Sequence, residues 1–292
     1  MERSCSFTRF ASEDNAKAGL LKFTFLGTGT SAGVPSIGCE CRVCTSSDLR
    51  DQRLRTSAMI EWTDSKGSPR TLLIDAGPDL RQQALRSGMK RLDGILFTHN
   101  HVDHTFGLDE VRRFNAIQKT AIDVFAEKHT MDFLKRVYGH IFDQANNLNQ
   151  SFVATLIPHL VDPDTAFEFF GLKITPLRFQ HGRLPVLGYR IESDLPGTAN
   201  VLPLAYCTDV SAIPTHTWAR LTGLKTLVLD ALRHRHHPTH MTLNQALDAS
   251  TNIAAQSTFF VHMSHDLLHE ETQGMLPPHV SLAFDGLVLP LD

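Results

Sequence analysis

Phe97-Thr98-His99-Asn100-His101-Val102-Asp103-His104 is the stretch from which the rest of this sequence becomes readable. His99, His101, Asp103 and His104 crowd together here, and each of these side chains can ligate a divalent metal. The apolar run Gly94-Ile95-Leu96-Phe97 leads into them and reads as a buried strand. Gly107-Leu108-Asp109-Glu110-Val111 follows and reads as the start of a helix. The four side chains therefore fall on a strand-to-helix turn, at the C-terminal end of a strand, where α/β sheets carry their sites. A loop is required, because one helix face cannot present neighbours spaced both one and two residues apart.

Working outward, apolar strand-like runs recur at residues 21–26, 57–62, 71–75 and 122–125. They recur again at 172–178, 186–191, 201–207, 225–229 and 257–261. Helical patterns lie between several of them. One begins at Asp79, with Gln82 at capping-box spacing, and stops at Gly88; others run to about Gln118 and from Thr130 to Tyr138. Residues 48–55 are highly charged and read as a short solvated helix, whereas 141–170 read as a lid or interface segment. Strands alternating with helices in two similar halves imply an α/β sandwich in one domain, residues 21–292, behind an N-terminal extension of residues 1–20. Asp75, His99, His181, Asp209, Asp230 and His262 each follow a strand, directly or within a few residues. Repeated ligand-type side chains at strand ends imply that those ends converge.

Composition bounds the function. The chain has 292 residues, 42% of them hydrophobic, enough to bury a large core. No run approaches the roughly 18–20 apolar residues of a membrane span. The first twenty residues mix Glu2, Arg3, Arg9, Glu13, Asp14 and Lys17, which is no secretory signal, so a cytoplasmic protein is expected. A net charge of −3 offers no extended surface for nonspecific nucleic-acid binding. The glycine-rich Gly27-Thr28-Gly29-Thr30-Ser31-Ala32-Gly33 lacks the Lys-Ser/Thr of a P-loop, and no helical pattern follows to support a dinucleotide fingerprint.

Two further clusters stand out. Cys39, Cys41 and Cys44 supply three thiolates at close spacing, too few for a disulfide framework and suited to a structural zinc, which needs a fourth ligand from elsewhere. Cys5 and Cys207 read as isolated, inert thiols. Arg233-His234-Arg235-His236-His237-Pro238-Thr239-His240 is histidine-rich, and His234, His236 and His237 read as a mobile, solvated loop. His240 differs: Thr242 and Gln245 form a capping-box pair after it, which puts it at a helix N-terminus, a natural anion site.

On these residues the chain resembles a known family. His99-Asn100-His101-Val102-Asp103-His104 is similar to the His-x-His-x-Asp-His signature of the metallo-β-lactamase superfamily. The resemblance extends through Leu26 to Thr30, Ile74 to Gly77, Gln180-His181, Thr208-Asp209 and Val261-His262. With the cysteine triplet it narrows to the PhnP-like cyclic phosphodiesterases. It implies a four-layer αββα sandwich with a dinuclear metal site at one edge. It assigns His99, His101 and His181 to one ion, Asp103, His104 and His262 to the second, and Asp209 to both. Asp75 is left as an acceptor that fixes a ligand histidine's tautomer. His265 is implied as the fourth ligand of the structural zinc in the 39–44 loop, and His240 as a catalytic residue beside Asp103. The implied cofactors are two divalent ions, zinc or manganese, plus one structural zinc.

The function expected from this resemblance is hydrolysis of small cyclic phosphodiesters, such as a phosphoribosyl 1,2-cyclic phosphate or a 2′,3′-cyclic nucleotide. A hydroxide shared by the two ions would attack phosphorus while His240 assists the leaving oxygen. Arg233 or Arg235 would contact phosphate. The same core also serves tRNA 3′ processing, hydrolysis of lactones or thioesters, and non-hydrolytic cofactor biosynthesis. The partners expected are a small-molecule phosphodiester and no membrane, with a homodimer left open.

Overall fold

The structure is a computed structural model that describes residues 20–143 and 152–291. Two seven-stranded sheets face one another. The first carries β1 (Lys22–Gly27), β2 (Ser57–Thr63), β3 (Pro69–Ile74), β4 (Gly94–Leu96), β5 (Ile122–Ala126) and β6 (Leu156–Leu160), with the C-terminal strand β14 (Val288–Leu289) beyond β1. The second runs β7 (Phe167–Phe169), β8 (Leu172–His181), β9 (Leu184–Glu192), β10 (Leu204–Cys207), β11 (Thr226–Asp230), β12 (Ser257–Val261) and β13 (Val280–Leu282) in spatial order. In each sheet antiparallel pairs give way to parallel ones: β3 to β6 run parallel in the first, β10 to β13 in the second.

Period-two alternation builds the layers. In β3, Leu72 and Ile74 enter the core between the sheets, while Leu73 faces the helices outside. In β11, Val228 faces inward and Leu227 and Leu229 outward. Helices α1 (Leu80–Ser87), α2 (Val102–Thr105), α3 (Arg112–Gln118), α4 (Lys128–Val137) and α5 (Gly139–Phe142) follow strands of the first sheet. Leu80, Phe114, Met131 and Leu134 from that group fill its outer core. Helices α6 (Thr215–Trp218), α7 (Leu243–Ile253) and α8 (His269–Gln273) accompany the second sheet. Leu243, Ala246 and Ile253 of α7 cover its outer face. The αββα sandwich read from the sequence is therefore the observed fold.

Some local expectations change. Residues 48–55 do not form a solvated helix: only a single 3-10 turn, Leu49–Asp51, is present, and Asp51 and Arg53 are buried. The charge pattern looked solvent-facing, but the Arg53 guanidinium has matched acceptors inside. It donates to Asp51 Oδ1 at 3.0 Å, to the Leu267 carbonyl at 2.7 Å and to the Ser264 carbonyl at 2.9 Å. Asp79 starts α1 without capping it, because its carboxylate is taken by the Arg55 N–H at 2.8 Å and the Arg55 guanidinium at 2.9 Å. Gly88 does end α1, in the left-handed conformation at φ 67°. The glycine-rich turn serves close packing: a Cβ on Gly27 would sit 2.0 Å from the Arg55 carbonyl oxygen. The 141–170 segment yields the end of α5 and the two edge strands β6 and β7; residues 144–151 and, within the extension 1–20, residues 1–19, including Cys5, lie outside the described residues. Among the described residues no helix is long and apolar enough to cross a membrane.

Candidate active site

The polar strand ends meet at one edge of the sandwich. Asp75 follows β3 and the His99–His104 stretch follows β4, both from the first sheet. His181 ends β8, Asp209 follows β10, Asp230 ends β11 and His262 follows β12, all from the second. Asp75, Asp209 and His262 take left-handed backbone conformations, with φ of 60°, 57° and 59°. Such angles cost a side-chain-bearing residue energy and concentrate at functional sites, where the sharp turn sends a side chain off the strand end. At Gly77 the chain passes so close to the His-rich turn that a Cβ would lie 2.1 Å from the Asp103 carbonyl oxygen.

Asp209 stands at the centre. Its Oδ2 is 3.2 Å from His104 Nε2, and its Oδ1 is 3.3 Å from His262 Nε2, 3.9 Å from His99 Nε2 and 4.0 Å from His181 Nε2. Asp103 Oδ2 lies 3.3 Å from His104 Nε2 and 3.9 Å from His262 Nε2. The donor atoms of His99, His101 and His181 lie within 4.8 Å of one another, and so do those of Asp103, His104 and His262. Those are the two groups the sequence resemblance implies, with Asp209 beside both.

Neighbouring groups set the tautomers. His104 Nδ1 is 2.7 Å from Asp75 Oδ2, and a carboxylate accepts, so Nδ1 carries the proton. Thr98 Oγ1 donates to Asp75 at 2.8 Å and can therefore accept from His99 Nδ1 at 2.9 Å. The Thr239 carbonyl accepts from His181 Nδ1 at 2.7 Å. All three rings then present Nε2 toward Asp209. The Nε2 atoms of His99, His104 and His262 are buried and make no hydrogen bond among the described residues. A buried polar atom left unmade costs about 1–3 kcal/mol, so several such atoms around one carboxylate fit a bound cation.

Burial and neighbouring charges pull these groups in opposite directions. Burial lowers the proton affinity of His99, and the nearby His104 adds to the effect. Burial also opposes a charge on His104, but Asp209, Asp103 and Asp75 outweigh it and hold that ring well above the ordinary imidazole range. Burial would raise Asp209, yet His262 and His104 hold it well below the usual carboxylate range.

His240 borders this cluster. Its ring centroid lies 4.5 Å from that of His181 and 4.6 Å from the near-parallel ring of His262. Its Nδ1 is 2.6 Å from Asp230 Oδ2, which also accepts the Val210 N–H at 2.8 Å. The Thr242–Gln245 capping box forms at the start of α7, as its spacing predicts. His234 and His236 are exposed, but His237 is not the solvated loop residue expected: it is half-buried, with its ring 5.2 Å from that of His240. The arginines of this turn make exposed contacts close by. Arg233 donates to the carbonyls of Arg235 and His236, and Arg235 pairs with Asp266.

The second cluster forms where the N-terminal loop meets the segment after β12. The sulfurs of Cys39, Cys41 and Cys44 lie 3.2, 3.6 and 3.4 Å from His265 Nδ1. The Cys44 N–H draws the Cys41 thiol down to about 7, a value that favours thiolate. Three sulfurs and one nitrogen match the donor set of a structural zinc. Cys207 is buried, which pushes its thiol up, and it belongs to neither cluster.

The sequence reading missed Thr98, Thr239, Arg53 and the partnership of Asp230 with His240. Asp230 did appear among the strand-end residues, and its position ten residues before His240, across a histidine-rich turn, was the available signal.

Comparison with known proteins matches residues 70–263 to the beta-lactamase superfamily domain. A crystal structure described as a new diphosphatase from the PhnP family is 42% identical to this chain, with a TM-score of 0.81, covering 93% of this chain and 98% of that one. An octanoyltransferase of Porphyromonas gingivalis is 37% identical over 276 residues, 93% of this chain; the chain spans 52% of that relative's length. Zinc-bound PqqB from Methylobacterium extorquens shares the fold at 19% identity and a TM-score of 0.71, covering 92% of this chain and all of that one.

Proposed function

The chain belongs to the metallo-β-lactamase superfamily and, within it, to the PhnP family, and from that premise we propose that it hydrolyses small phosphoesters, cyclic phosphodiesters foremost. The observation that carries this reading is His240, held by Asp230 at the border of the Asp209-centred cluster. A carboxylate on Nδ1 leaves Nε2 as the atom that can pass a proton to a leaving oxygen. Phosphoryl transfer needs that help when the leaving group is an alkoxide.

His99, His101 and His181 would hold one divalent ion, Asp103, His104 and His262 another, with Asp209 between. Two such ions supply activated water and neutralise charge on phosphoryl oxygens. The remaining work falls to the chain itself. Asp75 and Thr98 fix the rings of His104 and His99, and the Thr239 carbonyl fixes His181. Burial of Asp209, His99, His104 and His262 excludes bulk water from the floor of the site. Cys39, Cys41, Cys44 and His265 would hold a third ion with a structural duty.

A second reading has its own support: the relative at 42% identity is described as a diphosphatase, so cleavage of a phosphoanhydride by the same attack on phosphorus is the alternative substrate class. One panel separates them. Purified, metal-loaded protein is assayed on a 2′,3′-cyclic nucleotide, a phosphoribosyl 1,2-cyclic phosphate, a nucleoside diphosphate, an octanoyl thioester and a precursor tRNA. The proposal expects the cyclic diesters to be the best substrates. Turnover confined to the diphosphate selects the second reading; turnover confined to the thioester or the tRNA removes both.

A further inference from the structure

Of the rings in the turn between β11 and α7 that the hydrolysis above leaves unused, His237 is the half-buried one. His237 Nδ1 accepts the backbone N–H of Thr239 at 3.3 Å and lies 3.1 Å from the same residue's Oγ1. A backbone N–H only donates, so Nδ1 carries no proton, and the neutral ring bears its hydrogen on Nε2. Among the described residues that Nε2–H has no hydrogen-bond acceptor. The ring is half-buried beside His240, at 5.2 Å between centroids.

Thr239 therefore orients two rings in opposite senses. Its N–H makes His237 a donor at Nε2, while its carbonyl makes His181 a lone-pair bearer at Nε2. A loop that merely needed to be soluble has no use for such a coupling. Of the cationic side chains in the same turn, Arg233 donates to backbone carbonyls and Arg235 to Asp266, both at the exposed surface.

We propose that His237 is a substrate-positioning residue whose Nε2–H donates to a phosphoryl oxygen of the ester held beside His240. This inference rests on the phosphoester reading and sharpens its substrate class. A neutral donor gains less from a second negative charge than a guanidinium would. It therefore suits a singly charged diester and does not retain the doubly charged monoester product.

The test uses the full chain, metal-loaded, as wild type, His237→Leu and His237→Gln. Each is assayed on a 2′,3′-cyclic nucleotide and titrated with inorganic phosphate as a competing anion, with metal content and melting temperature measured alongside. Loss of one hydrogen bond to a charged group predicts that Leu raises KM and weakens phosphate binding roughly tenfold, with a smaller change in kcat. The Gln amide can donate from nearly the same place, so it should recover most of that loss. An active wild type whose Leu variant keeps KM and phosphate affinity overturns the proposal alone. Equal losses in Leu and Gln accompanied by lost metal also overturn it, since His237 would then be scaffolding for the ions. A wild type inert toward every phosphoester and blind to phosphate overturns the phosphoester reading together with the proposal.

Discussion

Asp230 Oδ2 lies 2.6 Å from Nδ1 of His240 and is held there by the N–H of Val210, so the carboxylate is fixed from the strand side before it fixes the ring. The same arrangement that orients His240 also dictates which of its nitrogens is free.

His240→Ala should lose about 10²–10⁴-fold in rate on substrates with alkoxide leaving groups while keeping its metal. On a p-nitrophenyl diester, whose leaving group is stable as an anion, the loss should shrink. Asp230→Asn should reproduce part of the effect, because an amide can offer Nδ1 a donor and so reverse the ring's tautomer. Rates on the two leaving groups, with metal content checked, decide the matter. Equal losses on both would assign His240 to charge stabilisation instead.

Metal analysis of purified protein should give about three ions per chain, two from the Asp209-centred cluster and one from the thiolate cluster. Cys41→Ser should lower the melting temperature, since a structural ion contributes folding free energy, and leave the turnover of folded protein largely intact. Full stability with abolished turnover would move the cysteine cluster into the catalytic machinery.

Stability should fall on acidification between about 6.5 and about 4, with His269 as one contributor. Burial, aided by Arg50 and Arg53, lowers this imidazole from 6.5 to about 4. In that window the unfolded chain binds the proton and the folded chain does not, so stability rises with pH and levels off above 6.5. Chemical denaturation of wild type and His269→Leu across pH 4–8 measures the contribution. An unchanged pH slope in the variant would remove His269 from the account.

The left-handed strand ends predict an inversion of the usual mutational order. In chelator-treated protein, Asp209→Gly should be more stable than Asp209→Ala by about 1 kcal/mol, because only glycine adopts φ near 57° without a Cβ penalty. Both should lose metal and turnover. Equal denaturation midpoints would mean that the turn relaxes once the carboxylate is gone.

Much of this site was legible because it obeys short-range rules. His99 to His104 declared themselves by spacing, and Thr242 with Gln245 by capping chemistry. Asp75, His181, Asp209 and His262 were legible as polar residues ending apolar runs. What stayed hidden depends on contacts between distant segments. Arg53 reads as one charge among several in 48–55 until the carbonyls of Ser264 and Leu267 arrive from more than two hundred residues away. Thr239 is an ordinary turn residue until its N–H is seen on His237 and its carbonyl on His181. Nothing in the local pattern separates a histidine that faces water from His237, which faces a neighbouring ring.

The ligand-type residues are divided between the two sheets: His99, His101, Asp103 and His104 come from the first, His181, Asp209 and His262 from the second. Neither half presents more than a partial coordination set. Capture of ions by the full set would therefore be open only to a chain whose halves have already docked through the shared apolar layer. Ion loading would then report the completion of folding, and a truncated or half-folded chain would be excluded from catalysis without any separate safeguard.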